Sequence, residues 1–156
     1  MIPINDYRQF IAELVNTAGT AAGLERTPAV RLAVTESQLV SLLKDQSGIV
    51  VAGNIPGCEI SNGAGWFQSR NECLLAVLEK MPRDRQGKEE EFGRYAILQQ
   101  LMLEIVKLLT NADGFDRFCD KGQMDYSQGL NVEWEYNEYG GFNGLSVTFR
   151  LKDGNL

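Results

Sequence analysis

The sequence predicts an α+β fold: an antiparallel sheet of about four strands, in two hairpins, packed on one long helix, plus an N-terminal helix. Three observations predict it. Residues 88–110 carry a broad apolar stripe at helical spacing. Residues 130–151 alternate apolar and polar side chains around a glycine-rich centre. Residues 5–19 repeat apolar side chains at i, i+3, i+4 and i+7. The chain of 156 residues reads as a single domain, 1–156. A chain of that length buries about 68–70% of its unfolded surface, enough for a core without disulfide or metal staples.

The first helix places Tyr7, Phe10, Ile11, Leu14, Val15 and Ala18 on one face, with Asn5 as its cap and Gly19 as its stop. A loop, "TAAGLERTP", follows. Residues 30–35 alternate as in a short strand. Thr35 and Gln38 then open a short helix over 36–45 with the spacing of a capping box. "IVVAG" is β-branched and of strand length, and the turn-rich "NIPGCEISNGAGW" reads as a hairpin loop. The next run, "RNECLLAVLEKMP", fits two templates. Cys73, Leu74, Val77, Leu78 and Met81 suit a helix, while an unbroken apolar run closed by Met81-Pro82 suits a buried strand. The strand reading is preferred, because the strand at 49–53 needs a partner. From Lys88 to Thr110, Glu89, Glu90 and Glu91 place negative charge at the positive end of a helix dipole. The stripe on this helix is wide enough to face both its own sheet and either the first helix or a neighbouring subunit.

The last hairpin pairs "LNVEWEYN" with "LSVTFRLK" across "EYGGFNG". The alternation assigns Val132, Trp134 and Tyr136, with Leu145, Val147, Phe149 and Leu151, to the core face. It sets Glu133 and Glu135 opposite Arg150 and Lys152. Tyr139 and Phe142 fall in the turn, off the core face. Trp66 and Phe67 flank another glycine turn, and one of the two is expected in the core and the other exposed. Trp66, Phe67, Tyr139 and Phe142 are therefore the candidate interface residues, since aromatic side chains anchor protein–protein contacts.

Composition narrows the chemistry. There is no histidine, which removes Ser-His and Cys-His catalysis and the commonest metal ligand. Cys58, Cys73 and Cys119 match no metal or redox spacing and read as reduced thiols, Cys73 as a buried structural one. Asp113, Asp116 and Asp120 lack the spacing of a calcium loop and read as a solvated loop. Gly63-x-Gly65 lacks the third glycine of a phosphate fingerprint. No catalytic residue, metal ligand or cofactor-binding residue is assigned, and no cofactor is expected. A net charge of −6 argues against direct nucleic-acid binding, the one basic stretch being "MPRDRQGK". No apolar run of about 18 residues marks a membrane span, and no secretory signal pattern opens the chain.

Two pieces, "ECLLAVLEKMPRDRQGKEEEFGRYAILQQLMLEIVKLL" and "YNEYGGFNGLSVTFRL", carry a family resemblance. With the order of elements over residues 45–153, they resemble small tail-terminator or tail-completion proteins of tailed phages, prophages and related contractile injection systems. The short helix at 36–45 departs from that pattern. The resemblance implies a non-enzymatic structural protein that self-associates into a ring, often hexameric, and meets tail-tube or head–tail connector proteins. It implies a place in the virion tail or a phage-like particle, assembled in the bacterial cytoplasm. It carries over no individual residue, because the family's contacts are spread over surface loops. The alternative from the residues alone is a small α+β adaptor or ligand-binding module with its pocket between long helix and sheet. A third reading is an enzyme using Asp113, Asp116 and Asp120.

Overall fold

The stripe from Tyr7 to Ala18 does fold as a helix. In the computed structural model, which describes residues 1–63, 66–81, 88–111 and 123–153, α1 spans Ile4–Ala21 and buries Tyr7, Phe10, Ile11, Leu14, Val15 and Ala18. Its cap position is Pro3, with no side-chain hydrogen bond, rather than Asn5. Gly19 does not end it. The stop is Gly23, at φ +74°, whose N–H bonds the Thr20 carbonyl, and Gly19 instead lets Pro28 pack against the helix.

The architecture is α+β, with three α-helices and a seven-stranded mixed sheet among the described residues. Strands β1 (Ala29–Ala33) and β2 (Ile49–Asn54) are parallel, joined by α2 (Glu36–Leu43). Parallel neighbours need a crossover, and a helix is the usual one. That is the place of the short helix, which an all-antiparallel plan of two hairpins could not accommodate. Thr35 caps it, accepting from the Gln38 N–H at 3.3 Å, while the Gln38 side chain accepts from the Val34 N–H. The stretch read as a hairpin loop contains β3 (Glu59–Gly63). The ambiguous run is a strand, β4 (Trp66–Lys80), antiparallel to β2 as expected. Helix α3 spans Lys88–Thr110. A two-residue β5 (Gln123–Met124), β6 (Asn131–Glu138) and β7 (Phe142–Asp153) complete the sheet.

The long central ladder is β4–β7, from Ser69 opposite Asp153 to Lys80 opposite Phe142. On one side β4 carries β2 and then β1, with β3 beyond the end of β2. On the other, β7 carries β6 and β5 end to end. Asn54 closes the gap between β2 and β3. Its amide donates to the Glu72 carbonyl at 2.9 Å and accepts from the Leu74 N–H at 2.7 Å.

Strand alternation sorts the apolar side chains onto two faces. Val51, Leu75, Val77, Leu145, Val147, Phe149 and Leu151 meet α1 and α3 in the larger core. Val50, Ala52, Ala76, Leu78 and Phe142 meet Leu39 and Leu43 of α2 in a smaller one. Leu98, Leu101, Met102, Ile105 and Leu109 of α3 are buried against the sheet and α1, while Phe92, Ile97 and Leu103 of its broad stripe stay exposed.

Three expectations fail here for physical reasons. Phe142 is not at an exposed turn: it opens β7 and points into the α2 core, 1% exposed. Val132 and Trp134 do share the face of Leu145 and Val147, as the register requires, and Tyr136 follows within the bulge. They are nevertheless exposed, Trp134 by 54% and Tyr136 by 74%, because β6 lies at the sheet edge, past the ridge of α3. Glu133 and Glu135 stand opposite Ser146 and Gly144. Arg150 pairs instead with Glu72 on β4, at 2.9 Å. The Asp113, Asp116 and Asp120 cluster, Cys119, Gly65 and the basic stretch 82–87 lie outside the described residues.

Candidate functional site

An apolar open surface lies where α3 meets β6. Residues Phe92, Tyr95, Ala96 and Gln99 form one wall, and Trp134, Glu135 and Tyr136 the other, around a groove of about 580 Å³. Helical spacing puts Phe92, Tyr95, Ala96 and Gln99 on one face of α3. Period two puts Trp134 and Tyr136 on one face of β6. A bulge between Glu135 and Glu138 then re-aims the strand, with Asn137 at φ +56°.

Edge-to-face stacking organises the wall. The Tyr95 and Trp134 rings are 5.4 Å apart at 67°, and Phe92 and Tyr95 6.4 Å apart at 83°. A polar chain beneath holds Tyr95. Its hydroxyl donates to Glu91 at 2.6 Å and accepts from the Asn143 amide at 3.1 Å, while Asn143 Oδ1 accepts from the Asn137 N–H at 2.7 Å. The start of α3 is thereby tied to the β-bulge. Burial, then the bond to the Glu91 carboxylate, raise the Tyr95 hydroxyl above the usual tyrosine range, so it stays a donor.

A second groove lies at the opposite edge of the sheet, on β1. Ile4, Asn5, Arg8, Gln9 and Ala12 of α1 line one side, Val30, Arg31 and Leu32 its floor, and Leu42 and Ile55 the rest. Its charged lining residues are Arg8 and Arg31, and neither has a carboxylate partner among the described residues. A third, more polar depression runs along the sheet face that α2 leaves open, over Glu72, Arg70, Thr148 and Arg150.

The four candidate interface residues do not form one surface. Phe67 is exposed, at 54%, near the start of the 15-residue β4, and Phe142 pairs with Lys80 at its far end. Trp66 opens β4 opposite Gly63, and its side chain lies outside the described residues. Tyr139 is half-buried against the α2 core, at φ +51°. Burial, then Glu135, Glu36 and Glu138, raise its hydroxyl above the usual range. Sequence reasoning missed Phe92, Trp134 and Tyr136. One signal was available: three glutamates and two asparagines in the eight residues of β6, the polar loading of a strand with one free edge.

Among the described residues no group of three metal-ligating side chains comes together, and no helix is long and apolar enough to cross a membrane. Cys73 is fully buried, and burial pushes its thiol up to about 12, which suits a structural residue and not a nucleophile. No protein-family model matches this sequence, and no curated protein matches it.

Proposed function

We propose that the protein is a non-enzymatic structural subunit of a phage-tail-like assembly, one copy of a ring at the tail end or the head–tail junction. The observation that carries this reading is the edge position of β6, with Trp134 and Tyr136 exposed beside Phe92 of α3. An apolar aromatic patch on an unpaired sheet edge is a liability in a monomer and an anchor in an assembly. The family resemblance over residues 45–153 supplies the kind of assembly, and with it tail-tube or connector proteins as neighbours in a virion tail.

The α3–β6 groove gives specific support to a second reading, a small adaptor or ligand-binding module. About 580 Å³ is enough for a small molecule, and the groove lies between helix and sheet. Size-exclusion chromatography with light scattering separates the two. The ring reading expects a discrete multimer of the full chain. A monomer at every concentration, saturably binding an apolar small molecule, would favour the module.

A further inference from the structure

The sheet ends in two unlike edges. On β6, Glu133, Glu135 and Glu138 are the only charged residues, and Trp134 and Val132 are exposed. The β1 groove offers Arg31 on its floor and Arg8 on its wall, beside exposed Ile4 and Leu42. We infer that copies of this chain join edge to edge, β6 of one lying in the β1 groove of the next, so that the sheet runs on from subunit to subunit. This rests on the ring reading and names the two surfaces that would build it.

The faces agree. Val30 and Leu32 point to the α1–α3 side of the sheet and Ala29 and Ala33 to the α2 side, so Arg31 belongs to the α2 side. In β6 the register with β7 places Trp134 on the α1–α3 side, and Glu133 and Glu135 on the α2 side. In a continued sheet Glu133 and Glu135 therefore flank Arg31 of the neighbour, and Trp134 approaches its Ile4 and Arg8. Charge also rejects the symmetric alternatives. Two β6 strands side by side would face six carboxylates, and two β1 edges would bring arginines together. A contact between two different surfaces is heterologous, the kind that closes into rings.

The experiment uses the full chain and light scattering, with circular dichroism as the check on folding. Arg31→Glu and Glu133→Arg should each weaken assembly at least tenfold. The double variant, and an equimolar mixture of the single variants, should recover the wild-type mass. Arg31→Asp with Glu135→Arg serves as a second pair if either single variant misfolds. Hydrogen exchange on the wild-type multimer should show the β6 and β1 amides protected. A wild-type multimer with unprotected edges, with unaffected single variants or with no recovery in the double overturns the edge pairing and leaves the ring standing. A wild type that is monomeric at all concentrations overturns the ring reading and this inference together.

Discussion

Trp134 and Phe149 occupy the same face of the same hairpin, yet they should respond differently to truncation. Trp134 is half exposed, and its stacking is with Tyr95. Trp134→Ala is expected to cost about 1 kcal/mol, the worth of an edge-to-face pair. Phe149 is fully buried, and Phe149→Ala should cost about 3–5 kcal/mol. Chemical denaturation of both variants checks the difference. Tyr7 and Cys73 make the second residue-scale case. The Tyr7 hydroxyl is buried with no hydrogen bond of good geometry among the described residues, so Tyr7→Phe should leave stability unchanged or raise it. Burial raises both groups, Cys73 from 9.0 to about 12, because the folded state favours their protonated, neutral forms. Their contribution is complete below pH 9 and declines as pH rises towards 12. The urea midpoint should fall across that window, less steeply in Cys73→Ala.

At the scale of elements, the strands were legible wherever a period was visible. The pairing was legible wherever neighbours in sequence were neighbours in space. The β4 run had both helical and strand spacing, and its partners decided it: β2, β3 and β7 all pair with it. The β1–α2–β2 crossover was not legible. Five residues of alternation do not say whether a strand pairs parallel or antiparallel, and the capping box at Thr35 announces a helix without its role. Asn54 was silent too, since only the gap between β2 and β3 gives its amide two backbone partners. Asn54→Ala should cost about 1–3 kcal/mol in thermal or urea unfolding, by leaving the Leu74 N–H unsatisfied. Gly144 is the sharper test of the central ladder. A Cβ there would overlap the Val77 carbonyl oxygen. Gly144→Ala should abolish the cooperative unfolding transition, and a wild-type transition would show that β4 and β7 do not approach so closely.

At the scale of the whole molecule, alternation told which side of β6 is apolar. It could not tell whether anything lies on that side. Cover depends on where the strand falls in the sheet and how far α3 reaches, and both are set by long-range order. For that reason the aromatic side chains of β6 read as core from sequence alone, and Phe142, beside a glycine turn, read as surface. The groove at β1 was equally hidden, because Arg8 and Arg31 come to line it only when α1 packs beside β1. Among the described residues, an acidic, aromatic edge and an edge flanked by arginines and apolar side chains stand at opposite ends of one sheet. Their use in assembly is most directly tested by the sedimentation-velocity mass of Trp134→Ala beside that of the wild type, at equal concentration. We predict a multimer for the wild type and a folded monomer for the variant. A variant that forms the same multimer would contradict the assignment of this edge to assembly.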